Sequence, residues 1–108
     1  MTAYCVVLTT VATPQEAASL ARVLVEQQLA ACVQRVPINS TYWWEGAVQE
    51  EPETLLLIKT ETAGYPAVEA CIKANHRYTV PEIVCLPVEA GSRDYLHWIT
   101  ETVRRTSG

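Results

Sequence analysis

Positive charge is scarce in this chain: eight basic residues stand against twelve acidic ones, the formal charge is −4, and the only adjacent basic pair is Arg104-Arg105. A nucleic-acid surface needs a basic stripe or patch, so nucleic acid is excluded as a partner. Long apolar runs are also missing. No segment approaches the ~18 residues of a membrane span, and the N-terminus, MTAYCVVLTTVATPQE, has neither the basic region nor the small-residue cleavage site of a signal peptide. The expectation is a soluble, cytoplasmic protein. Cys5, Cys32, Cys71 and Cys85 form no C-x-x-C pair and each sits in an apolar segment, so they read as free, mostly buried thiols kept reduced by the cytosol. G-x-S-x-G, H-E-x-x-H and P-loop patterns are absent, and an enzyme is not expected. With no repeat, linker or low-complexity tract, residues 1–108 read as one domain.

What is present is a regular succession of patterned segments. The β-branched run Tyr4-Cys-Val-Val-Leu8 predicts a strand, and Thr13-Pro-Gln-Glu16 reads as a capping box with proline in the first turn. The helix it opens is expected to reach about Gln28, with Ala17, Leu20, Ala21 and Leu24 on its apolar face. Residues 31–60 carry no helix signal and form a hairpin around Glu45-Gly46. Its first strand, Cys32 to Trp44, would extend about 43 Å, so part of the hairpin must bend or project. A second helix runs from Pro66 to Asn75 with Val68, Cys71 and Ile72 inward, HRYTVPE is a loop, and Ile83 to Val88 is a strand. Gly91-Ser92 then caps a helix packing through Tyr95, Trp98, Ile99 and Val103, with His97 on its polar side.

The order β-α-β-β-α-β-α fits a split β-α-β unit with the first and third strands central and parallel and the second and fourth at the edges. Pro37 and Pro87 fall in the expected edge strands, where a missing N–H can face outward. Helices of such a unit cover one sheet face, yet Val6-Val7-Leu8 and Leu55-Leu56-Leu57-Ile58 are apolar on both alternating faces. An uncovered apolar face forfeits about 1.5–3 kcal/mol per large side chain, and self-association is the expected remedy.

Six spaced blocks, LAACV (29–33), YWWEG (42–46), LLLIKT (55–60), H-x-Y-x-VPEI (76–83), LPV (86–88) and DYLHWI (94–99), together resemble the CutA family of divalent-cation tolerance proteins. The resemblance covers nearly the whole chain, in order. It implies an α+β, ferredoxin-like β-α-β-β-α-β subunit with a C-terminal helix, a tight homotrimer like the PII signal proteins held partly by long hairpin strands, and a link to copper and other divalent ions. Three positions depart from the family pattern: Gln34 replaces a common asparagine, Arg77 the usual proline and Thr79 a frequent glutamate. Arg77 places a fixed positive charge beside His76, which disfavours a nearby cation.

Candidate site residues follow from both lines. His76 reads as a metal ligand, since neutral imidazole suits copper and zinc, or as a cationic residue on the C-terminal dipole of a helix; Glu82 and Tyr78 share its loop. Cys32 reads as a thiolate ligand for soft ions or as a small hydrophobe, and Cys5, Cys71 and Cys85 as core. In a trimer Trp44, Lys59, Glu61 and Tyr78 would line a cleft between subunits, with Glu45 at a solvated rim. The leading functional expectation is a non-enzymatic trimer that weakly binds copper or another divalent cation, without organic cofactor. The alternatives are a PII-like signalling module binding a small anionic ligand or a partner protein at the subunit interface, and a structural scaffold.

Overall fold

The computed structural model describes residues 2–104. In chain order the elements are β1 (Tyr4–Val11), α1 (Pro14–Glu26), β2 (Cys32–Trp44), β3 (Ala47–Glu61), α2 (Tyr65–Ala74, after a 3-10 turn Thr62–Gly64), β4 (Ile83–Pro87) and α3 (Arg93–Thr102). The four strands form one sheet in the order β2-β3-β1-β4, so β1 and β3 are central, as expected. They are antiparallel, not parallel, with Tyr4 opposite Glu61 and Val11 opposite Thr54. The reason is the crossover: α1 returns the chain so that β2 runs in the direction of β1, and the hairpin then reverses β3 into the gap between them.

Local chemistry sets the boundaries. Thr13 Oγ1 accepts the Glu16 N–H at 3.1 Å, which is half of a capping box, while the Glu16 carboxylate faces Arg77 at 3.7 Å instead of returning to the cap. Helix α1 stops at Glu26, slightly short of expectation, and Gln28 takes a left-handed φ of 57° that turns the chain toward β2. Glu45 (φ 51°) and Gly46 (φ 76°) form the tip of the β2–β3 hairpin, with both central residues at positive φ as a two-residue type I′ connection requires. Pairing of β2 with β3 continues to Trp44↔Ala47, whereas β1 accompanies β3 only from Thr54 onward. The remainder is a two-stranded arm, and the molecule measures 43 × 25 × 23 Å. Pro52 lies in this arm, where β3 has lost its β1 neighbour and one strand edge needs no donor.

The core lies between the helices and one sheet face. Val7, Val11, Leu56 and Ile58 pack there with Leu20, Leu24, Val68 and Ile72. The alternate positions Val6, Leu8, Leu55 and Leu57 are half-buried, and Val36, Val84 and Leu86 beside them are exposed. Helix α3 shields one end of this second face through Ile99 and Val103, which pack with Ala31, Tyr4 and Leu96. Tyr95 and Trp98 do not join that packing: they are 40% and 42% exposed and stack on each other at 5.6 Å. His97 is exposed and pairs with Glu101, as its polar position predicts.

Helix α2 carries a pH-sensitive bond. The Tyr65 hydroxyl donates to Glu69 Oε1 at 2.7 Å, and that bond is the chief cause raising the phenol from 10.0 to about 12. Burial similarly raises the Cys5 thiol from 9.0 to about 12. Both groups hold their protons more tightly folded than unfolded, so their contribution to stability is intact below the unfolded values and is lost as pH climbs toward 12. The melting temperature is therefore expected to fall between pH 9 and 12, and Tyr65→Phe to make that fall shallower above pH 10, as followed by circular dichroism melts across the range.

Candidate functional site

The loop after α2 is anchored through His76. Its Nε2–H donates to the Thr10 carbonyl at 2.6 Å and its Nδ1 accepts the Tyr78 N–H at 3.1 Å. A carbonyl can only accept and an amide N–H can only donate, so the geometry selects the neutral ring protonated on Nε2. Both nitrogens are occupied in this arrangement, and a metal bond through either would require breaking one of these contacts. The Tyr78 ring lies 4.7 Å from the imidazole, and its hydroxyl donates to Glu53 Oε2 at 2.9 Å. Burial, and then Glu53, hold that phenol well above its ordinary range.

Beyond Tyr78 opens a groove of about 810 Å³ between the arm and the loop, lined by Tyr42, Trp44, Glu45, Gln49, Glu51 and Glu53 on one side and by Arg77, Tyr78, Thr79, Val80 and Glu82 on the other. The lining carries four carboxylate residues and one basic residue, Arg77. Partial desolvation and then the charges of Glu51 and Glu53 raise the Tyr42 phenol as well, which marks the negative potential of this surface. Gln49, Glu51 and Glu53 alternate along β3 and so share one face. Glu51 and Glu53 are not among the residues expected from the sequence, and their signal there is this alternation in VQEEPE.

The expected site residues fall into separate places. Trp44, Glu45, Tyr78 and Glu82 line the groove. Cys32 pairs across the sheet with Lys59, whose Nζ donates to Gln34 Oε1 at 2.6 Å and lies 5.8 Å from the centre of the Tyr95 ring. Glu61 accepts from Thr100 Oγ1 at 3.0 Å beside α3. Thus Lys59, Glu61 and Cys32 gather at the α3 end of the sheet, while His76 meets Thr10 near the opposite end of β1. His76, Cys32 and Glu82 do not converge within one chain, because β2 starts at one end of the sheet and the HRYTVPE loop closes over the other. Among the described residues no group of three or more His, Cys, Asp and Glu side chains is placed to hold a metal ion. The Gln34 departure has a local role as the partner of Lys59, and Arg77 points outward, 82% exposed, toward Glu16.

No helix among the described residues is long and apolar enough to cross a membrane. Residues 5–102 match the family described as CutA1 divalent ion tolerance protein. The chain is 50% identical over 97 residues to the divalent-cation tolerance protein CutA of Thermus thermophilus, covering 89% of this chain and 94% of that one. It is 43% identical over 102 residues to Protein CutA 1, chloroplastic, of Oryza sativa, covering 94% of this chain but 58% of the rice protein. In structure it superposes with a TM-score of 0.92 on the periplasmic divalent cation tolerance protein CutA from Archaeoglobus fulgidus, at 38% identity over 94% of this chain and 99% of the other. An α+β chain with this sheet order, matched in sequence along almost its full length, belongs to the CutA1 family of divalent ion tolerance proteins.

Proposed function

We propose that the chain acts as a non-enzymatic cytoplasmic homotrimer that contributes to cation tolerance by weakly binding divalent metal ions, the acidic groove being completed where copies meet. The observation that carries this reading is the concentration of Glu45, Glu51, Glu53 and Glu82 along one open groove beside the projecting arm. Carboxylates are the ligands of hard and borderline divalent ions, and their summed field concentrates cations before any contact is made. The same charges repel a small anion, which weighs against the PII-like alternative. The half-buried outer face, including Leu8, Leu55 and Leu57, supports assembly, because a stable monomer rarely leaves a large apolar patch in water. A reducing compartment suits the four free cysteines.

Weak affinity follows from the spread of the ligands. The test is calorimetric titration of Mn²⁺ and Cu²⁺ into wild type and into Glu51→Gln/Glu53→Gln, which keeps an acceptor for the Tyr78 hydroxyl while removing two charges. Affinity for Mn²⁺ is expected to fall by about tenfold or more, on the order of 1.4 kcal/mol. Unchanged affinity for both ions would remove the groove as the cation site.

A further inference from the structure

Two cysteines meet where β1 and β4 pair. Val7 is opposite Cys85 and Cys5 is opposite Pro87, so Cys5 and Cys85 lie on the same sheet face, diagonal to one another. That face is the one covered by the helices: Cys5 is 1% exposed, and Cys85 packs against the same apolar cluster. Their thiols are close enough to interact, and the Thr62 hydroxyl approaches Cys5 in the same corner. Thr62 Oγ1 is buried without a conventional hydrogen-bond partner. Cys85 is only partly buried and sits on an edge strand, which gives the pair a path to solvent. The site lies apart from the acidic groove, whose lining includes neither cysteine.

We propose that Cys5 and Cys85 form a dithiolate site for a soft, thiophilic monovalent ion, Cu(I) or Ag(I). Geometry favours this over a disulfide. Diagonal cross-strand neighbours have Cα atoms about 7–8 Å apart, beyond the roughly 4.4–6.8 Å that a disulfide spans. Two metal–sulfur bonds of about 2.3 Å span about 4.6 Å between sulfurs, a longer reach than the single bond of a disulfide. Soft thiolates select Cu(I), and two-coordinate sulfur ligation is within the ordinary chemistry of both ions. Binding one ion releases both thiol protons and leaves a complex with a single negative charge. The apolar surroundings exclude water and competing ligands. This site does not depend on the groove: the groove offers oxygen to divalent ions, and the cysteine pair offers sulfur to monovalent ones.

The experiment is anaerobic titration of Cu(I), and separately Ag(I), into the reduced protein in competition with a chromophoric Cu(I) chelator. Wild type, Cys71→Ser, Cys5→Val and Cys85→Val are compared, valine being chosen because it preserves strand packing, and circular dichroism melts confirm the fold of each. Wild type and Cys71→Ser are expected to retain one equivalent per chain with sulfur-to-copper charge-transfer absorbance, and both valine variants to lose the equivalent and the band. Retention by a folded Cys5→Val/Cys85→Val double variant overturns the site, as does loss of the equivalent on Cys32→Ser alone. Intact mass after hydroperoxide treatment supplies a second reading: a Cys5–Cys85 disulfide formed in high yield shows the sulfurs closer than the metal geometry requires and also overturns it. Failure of Mn²⁺ to bind the groove would leave these outcomes unaffected.

Discussion

Leu57→Asp is expected to release a folded monomer, while Leu56→Ala is expected to destabilise the chain without changing how it assembles. The two residues are neighbours on β3 and point to opposite faces. Leu56 is 0% exposed beneath the helices, so truncating it costs about 2–5 kcal/mol through lost burial and the cavity left behind. That is a large share of the roughly 5–15 kcal/mol that holds an ordinary domain together, and the melting temperature should fall by roughly 10–30 °C. Leu57 is only half-buried in the single chain, on the face that α3 leaves largely open. If other copies cover that face, an aspartate there must be desolvated at a cost of several kcal/mol, whereas in the monomer it can reach water. Sedimentation velocity and urea unfolding at two protein concentrations separate the cases, since only loss of assembly makes stability concentration-dependent. A Leu57→Asp protein that sediments like wild type would show that the outer face is not the association surface.

The sequence reveals this fold because its patterns act locally. Thr13, Pro14 and Ser92 mark helix starts through chemistry confined to one turn, and both serine and threonine caps accept the amide three residues on. The prolines forecast the edge strands correctly. Strand direction was lost because periodicity carries no sign: apolar alternation in β1 and β3 is the same whether they run together or opposed, and only the path of the chain through α1 and the hairpin decides. The misplacement of Tyr95 and Trp98 has a similar origin. Helical spacing put them on a stripe with Ile99, but a short α3 at the corner of the sheet buries only the part of that stripe that meets Ala31 and Tyr4.

The candidate site was less legible, since it depends on which distant segments the sheet brings together. Reading HRYTVPE by residue type makes His76 a ligand, because imidazole is the commonest metal-binding side chain. Nothing in the loop itself announces that the Thr10 carbonyl, far away in sequence, waits one residue past the last β1–β4 pair at Thr9↔Ile83. Glu51 and Glu53 look like a solvated charge run until Tyr78 is seen bound to one of them. The cysteine diagonal is hidden for the same reason: positions 5 and 85 become neighbours only through strand register.

His76→Phe is expected to lower stability while leaving cation affinity in place, the reverse of what a metal ligand would do. The imidazole extends the sheet beyond the end of β4, with Nε2–H donating to Thr10 O at 2.6 Å and Nδ1 holding the Tyr78 amide at 3.1 Å. Phenylalanine keeps a ring beside Tyr78 but supplies neither contact. The Thr10 residue is 5% exposed, so its carbonyl is left with little water to replace the donor, and an unsatisfied buried group costs about 1–3 kcal/mol. For a domain of this size each kcal/mol lowers the melting temperature by about 4–8 °C. His76→Gln should recover part of the loss, because its carboxamide N–H can reach a carbonyl and its oxygen can accept an amide. Thermal melts and Mn²⁺ and Cu²⁺ titrations on the same preparations decide between the roles. If His76→Phe melts like wild type but loses copper, the ring nitrogens give up their hydrogen bonds to an ion, and the loop is a coordinating element; if it melts early and binds as before, His76 is the clasp that positions Tyr78 against Glu53 and thereby shapes one wall of the groove.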